Sequence, residues 1–127
     1  MRLGAPPEGR GTGAHSMRRY RLRKKDILRG RREISTLFQH GRFVGGRYFD
    51  MIVLRPADGR KALFTVSRQI RKKVVRNRIK RRLREMYRLQ QEAIPEDVHL
   101  ALIGKAATLD AEFVELQREF LQKVQKL

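Results

Sequence analysis

The chain has 127 residues, and 31 Lys and Arg against 13 Asp and Glu leave a formal charge of +18. It has no cysteine, which excludes disulfide staples, thiolate nucleophiles and Cys-ligated zinc. No apolar run approaches the ~20 residues of a membrane span, and the N-terminus lacks the apolar stretch of a secretory signal, so a cytoplasmic chain with no membrane partner is expected.

Residues 1–20 carry Gly4, Pro6, Pro7, Gly9, Gly11 and Gly13 with almost nothing to bury. They read as a basic, flexible arm. Met17 opens a more protein-like stretch. It is either the true start, which would make residues 1–16 an extension, or an internal Met on the arm. Residues 21–127 read as a single domain.

Ile34, Leu37 and Phe38 recur at helical spacing within residues 31–40, and Gly41 follows as a cap. Residues 47–55 are aromatic and β-branched and read as a strand. In that strand Phe49, Met51 and Val53 alternate with Tyr48, Asp50, Ile52 and Leu54, so one set is core and the other faces out. A turn at Pro56, Asp58 and Gly59 leads to a second strand at 61–67, and the short link predicts an antiparallel hairpin. Residues 72–91 predict the main helix, with Val75, Ile79, Leu83, Met86 and Tyr87 as its apolar stripe and Pro95 as its stop. Residues 98–103 predict a buried strand. Asp110 is placed as the N-cap of a last helix, with Leu109 and Val114 as a hydrophobic staple. Phe113, Leu116, Phe120, Leu121, Val124 and Leu127 would form one face of that helix. The order α-β-β-α-β-α predicts an α/β (α+β) two-layer sandwich, with helices packed on one sheet.

The charge is unevenly spread. Residues 68–88 hold 11 basic groups and one acid, Glu85, while residues 89–127 hold 4 basic groups and 7 acids. Solvated faces normally alternate sign, so this segment points to a polyanion. On a helical wheel Asn77, Arg81, Arg84 and Arg88 lie opposite Ile79, at roughly 140–200°. Arg76 and Lys80 line one flank, and Arg78 and Arg82 the other. Like charges at i,i+4, such as Arg78 and Arg82, repel, and closely spaced phosphates would offset that repulsion. Glu85 is expected to pair with Arg82 or Arg81.

The segment RNRIKRRLRE, preceded by FTVSRQI, resembles the signature of the bacterial ribonuclease P protein family. The likeness runs from about residue 22 to 124, with FQHG, RYF, SRQ and RNR in the family's order. It implies an α/β sandwich whose basic helix lies in a left-handed β-α-β crossover. It also implies a subunit of an RNA enzyme that removes the 5′ leader of precursor transfer RNA. In that arrangement the RNA is the catalyst, Mg2+ is held chiefly by the RNA, and no further protein partner is required. Carried onto this chain, the residues facing the catalytic RNA would be Arg76, Asn77, Arg78, Lys80, Arg81, Arg82 and Arg84. The family's cleft for the single-stranded leader would be lined by Ile34, Phe38, Ile52, Thr65, Ser67, Arg68 and Gln69. Ile34 and Ile52 stand where many relatives have aromatics, which weakens stacking on the leader bases. Phe38, Tyr48 or Phe49 would compensate. The plain reading of Ile34 and Phe38 is core, and both readings stay open from the sequence.

No catalytic cluster is legible. His15, His40 and His99 are far apart, none has a carboxylate at ligand spacing, and no phosphate loop of the Walker type is present. The expectation is no catalytic group and no metal site in the protein. Two other classes share the size and charge. A ribosomal or other RNA-scaffold protein would not need the leader cleft. A DNA-binding protein would need base-reading side chains, whereas this helix offers mainly phosphate binders.

Overall fold

The computed structural model describes residues 22–127. The arm at 1–20, Met17 and His15 lie outside the described residues. A 3-10 turn at Lys24–Asp26 leads to helix α1, Arg31–His40. Strands β1, Arg42–Val44, β2, Phe49–Leu54, and β3, Lys61–Val66, follow. Helix α2, Lys73–Leu89, runs into a 3-10 turn at Gln91–Ala93. Strand β4, His99–Gly104, and helices α3, Ala106–Asp110, and α4, Phe113–Val124, complete the chain. This is the mixed α+β architecture expected, with β1 and α3 in addition to the predicted elements. Among the described residues no helix is long and apolar enough to cross a membrane.

The sheet order is β1-β2-β4-β3. β4 pairs antiparallel with β2 and parallel with β3. The predicted hairpin of β2 with β3 does not form, because β4 lies between them. Burial explains the arrangement. Five of the six β4 residues are buried, and a strand apolar on both sides belongs in the middle of a sheet covered on both faces. The 55–60 link straddles the start of β4, with Ala57 N–H donating to Asp97 O at 2.8 Å and Lys61 N–H to Val98 O at 3.1 Å.

One face of the sheet carries the main core. Phe49, Met51, Val53, Phe64, Leu100 and Leu102 meet Ile79, Leu83, Met86 and Tyr87 of α2 and Leu116, Phe120 and Val124 of α4. Phe64 packs edge-on against Tyr87 with ring centroids 5.5 Å apart, a favoured aromatic geometry. Burial pushes the Tyr87 phenol well above its ordinary pKa, with Arg60 opposing. On the other face, Leu28, Leu37, Ile52 and Ala101 form a smaller cluster beneath α1.

α1 ends as its sequence predicts. Gly41 N–H closes on Leu37 O at 2.8 Å. A Cβ there would collide with that oxygen and come within 2.6 Å of Ile52 Cγ2, so only Gly allows the close approach. The start of α4 differs from expectation. Asp110 is the last residue of α3, and Glu112 is the N-cap of α4. Val114 is 55% exposed and forms no staple. The cause is α3 itself, a short helix capped by its own Thr108 and anchored to a backbone carbonyl distant in sequence: Thr108 Oγ1 accepts from Lys105 N–H at 3.0 Å and donates to Tyr48 O at 2.6 Å.

Candidate nucleic-acid interface

α2 buries one stripe and leaves the opposite face to solvent, as the 3.6-residue period requires. Ile79, Leu83, Met86 and Tyr87 are buried. Lys72, Lys73, Asn77, Arg78, Arg81 and Arg84 are exposed. The helix begins at Lys72 with no side-chain cap and no acid in its first turn. Cations at the positive end of a helix are unfavourable, and an anion bound there would relieve them.

The basic side chains fall into two groups. Arg78 and Arg81 project from the exposed face, and Lys80 is half-buried on the flank. Others are engaged within the fold. Arg76 Nη1 donates to Ser67 O at 3.1 Å and Ile70 O at 2.7 Å, and its Nη2 to Val66 O at 3.5 Å. Arg82 Nη1 donates to Thr108 O at 2.9 Å and Leu109 O at 3.0 Å. The Arg84 guanidinium lies 5.7 Å from the centroid of the Phe64 ring. Glu85 pairs with Arg88 one turn on, and not with Arg82 or Arg81 as expected. Arg82 is directed to α3 instead.

The predicted cleft residues divide. Phe38 is 44% exposed on α1, and Ile34 is half-buried against the smaller cluster. Ile52 is 8% exposed and closed beneath α1, so it offers little surface. Phe49 is wholly buried on the opposite face, where the Lys123 ammonium lies 5.4 Å from its ring centroid, so it cannot compensate for a missing aromatic in the cleft. Tyr48 packs beside the main core. Thr65 and Ser67 are half-buried, while Arg68 and Gln69 are exposed.

Ser67 and Gln69 line an open cleft of about 700 Å³ where β3 and β4 end. Its floor is Asp50 and Ile103, and its far wall is Lys105 and Ala106. Asp50, Ile103 and Thr65 lie in one row across the sheet, each opposite the next. The sequence reading missed Asp50, Ile103 and Lys105. The available signal was Asp50 itself, a carboxylate in an otherwise apolar strand. Phe43, 62% exposed, sits opposite Ile52 and extends the same face to the sheet edge.

Lys105 Nζ stands 2.9 Å from Asp50 Oδ1 and donates to Gly46 O at 2.8 Å. Lys123 Nζ holds the neighbouring carbonyl of Gly45 at 2.8 Å. Burial pushes the Lys123 pKa below the usual lysine range, with Glu119 and Asp50 opposing. The far wall is therefore tied to the β1–β2 connection by Lys105, and α4 is tied to the same connection by Lys123.

Away from the cleft, the fold gathers Glu33, Asp58 and His99, whose donor atoms lie within 4.8 Å of one another. Sequence spacing gave no sign of this group. His99 is buried, with Nε2 3.1 Å from Asp58 Oδ1, and Lys61 Nζ lies 3.5 Å from Glu33 Oε2. A cation of the chain is thus already present there. His40 is exposed at the end of α1.

Comparison with known proteins bears on the family and the fold. The sequence model of the family described as Ribonuclease P matches residues 22–127. A ribonuclease P protein component of Desulfovibrio desulfuricans is 39% identical over 92 residues, covering 70% of this chain and 71% of the relative. One from Symbiobacterium thermophilum is 34% identical over 108 residues, covering 84% and 90%. Among solved structures, the ribonuclease P protein of Thermotoga maritima superposes with a TM-score of 0.69 at 22% identity, over 80% of this chain and 96% of that one. The Staphylococcus aureus protein gives 0.62 at 21% identity, over 80% and 93%. Those two likenesses establish the fold, and the sequence matches establish the kinship: the chain belongs to the ribonuclease P protein family, whose place is in the 5′ processing of transfer RNA.

Proposed function

We propose that this chain is the protein subunit of a ribonuclease P ribonucleoprotein, binding the catalytic RNA along α2 and the 5′ leader of precursor transfer RNA in the cleft beside it. The observation that carries this reading is the adjacency of the two surfaces. The 67–70 turn forms a wall of the cleft, and Arg76 of α2 binds it directly. RNA phosphates on Asn77, Arg78, Lys80, Arg81 and Arg84 would offset the mutual repulsion of these cations. A single strand leaving that RNA would meet polar side chains (Ser67, Arg68, Gln69) and the exposed ring of Phe38. That combination of cations and an aromatic platform suits unpaired nucleotides of many sequences.

The reaction is hydrolysis of a phosphodiester that releases the leader and leaves a 5′ phosphate on the mature end. Magnesium, when bound, supplies the activated water and stabilises the leaving oxygen. The carboxylates nearest the interface do not form a ligand set for it, since Asp50 is paired with Lys105 and Glu85 with Arg88. That supports placing the metal on RNA oxygens. The chain's part is to hold the leader in register and to offset phosphate repulsion between substrate and ribozyme.

The test is cleavage of a precursor transfer RNA at low Mg2+, comparing the protein alone, the catalytic RNA of its own host alone, and both together. Cleavage at the mature 5′ end only with both is the expected result. No gain from the protein would leave a scaffold role in RNA binding.

A further inference from the structure

The cleft has two walls, and each is attached to α2 by one arginine. The near wall is the turn from Ser67 to Ile70. Arg76 reaches back to it and binds the carbonyls of Ser67 and Ile70 at 3.1 and 2.7 Å. The far wall continues from Lys105 into α3. Arg82 binds the carbonyls of Thr108 and Leu109 at 2.9 and 3.0 Å, near the end of that helix. The two arginines are half-buried, whereas Arg78 and Arg81 between them are exposed. The near wall has few bonds of its own: Ser67 N–H to Gly104 O at 2.9 Å, Ile70 N–H to Ser67 O at 3.1 Å and Gln69 N–H to Ser67 Oγ at 3.3 Å.

We infer that Arg76 and Arg82 are positioning residues for the cleft, fixing its two walls to the basic helix, and that they do not serve as phosphate contacts. In each guanidinium Nη1 is already held by two carbonyls, so moving it onto a phosphate would give up both of those bonds. The consequence is mechanical. α2 sets the cleft width through its own placement, so RNA bound on the exposed face of α2 and the leader held in the cleft share one rigid element. A basic stretch that looks uniform in sequence thus holds two kinds of arginine, outward ones for RNA and inward ones for the shape of the leader site.

This inference rests on the reading of the cleft as the leader site. Its test separates charge from geometry by substituting lysine. Lysine preserves a phosphate contact as a point charge, but its ammonium ends one bond short of the Nη1 position and loses the reach to the two carbonyls that Nη1 binds. Holoenzyme reconstituted with the host's catalytic RNA is assayed at low Mg2+ on two precursors, one with a leader of several nucleotides and one with a single-nucleotide leader. Arg76→Lys and Arg82→Lys are each expected to raise KM for the long-leader precursor, roughly tenfold for a misplaced binding surface. KM for the short-leader precursor and kcat for both should stay near wild type. The salt slope for binding catalytic RNA should also be unchanged in Arg76→Ala and Arg82→Ala, whereas Arg81→Ala should lower it by about 0.7–0.9, one phosphate's share.

Lysine variants that match wild type on the long leader would overturn the inference, as would a loss of slope in the alanine variants of Arg76 or Arg82. An equal loss on both precursors, with a lowered melting midpoint, would reduce the two arginines to general stability and also overturn it. If the wild-type holoenzyme itself does not distinguish the two leaders, the reading of the cleft fails first and the inference fails with it.

Discussion

Arginine supplies 22 of the 31 cations, and the same side chain performs different work at adjacent positions. A helical wheel gives the angle of each residue on α2, and that was enough to find Asn77, Arg81 and Arg84 on the exposed face. It could not give the partners of Arg76 or Arg82, which are carbonyls of segments that fold back from elsewhere in the chain. Ile52 was ambiguous for a related reason. Alternation shows that Ile52 and Met51 face opposite ways, but not that α1 closes over the Ile52 side. Phe38, expected in the cleft from the family resemblance, is the residue for which spacing and exposure lead to a sharp test. Its ring shares a helical stripe with buried Leu37 yet remains 44% exposed. Phe38→Ala should weaken binding of leader-bearing precursor by about 1–3 kcal/mol, the range for one stacked base. Mature transfer RNA should bind as before, and the melting midpoint should scarcely move. Equal losses on precursor and mature RNA, measured by equilibrium binding at fixed salt, would make Phe38 a packing residue of α1.

Strand and helix positions were legible because apolar periodicity is a local property; pairing was not. β2 and β3 are consecutive and run in opposite directions, which is what a hairpin predicts, yet β4 separates them. Only the near-continuous burial of β4 hints that it takes the centre. Likewise α3 has no apolar period of its own and exists through Thr108 and Arg82. The contact that seats α2 on the sheet lies at Gly104, the last residue of β4. A Cβ at Gly104 would collide with Ile79 Cγ2 and come within 3.2 Å of Leu83 Cδ1. Ile79 is β-branched and stiff at χ1, so it has little freedom to yield. Gly104→Ala should therefore destabilise the domain by about 1–3 kcal/mol, as overpacking does. Urea denaturation should show a lower midpoint with an unchanged m-value. A midpoint equal to wild type would mean that α2 can lift from β4 without cost. Because α2 also carries both cleft-holding arginines, the same variant should raise KM for long-leader precursor.

At the scale of the whole molecule, a charge of +18 sets folding against function. Like charges on one helix face raise the energy of the compact state, and in the function proposed for α2 the same cations would give the free energy for binding RNA. The conflict should be visible in the free protein. At about 0.01 M ionic strength the Debye length is about 30 Å, and at about 1 M it is about 3 Å. Moving between these conditions screens the repulsion along α2, so the melting midpoint should rise with salt. Arg78 and Arg81 are exposed and lie one turn apart, and replacing both with Gln removes charge without opening a cavity. Arg78→Gln with Arg81→Gln should raise the midpoint at low salt, leave it unchanged at high salt, and flatten the salt dependence between them. The same variant should bind catalytic RNA more weakly, with a log–log salt slope reduced by about 0.7–0.9 for each phosphate that is no longer neutralised. Thermal melts at the two ionic strengths and a salt titration of RNA binding measure both sides on one protein. If the low-salt midpoint does not rise while affinity falls, repulsion on α2 is already relieved within the fold, and the cost of the charge must lie in another segment.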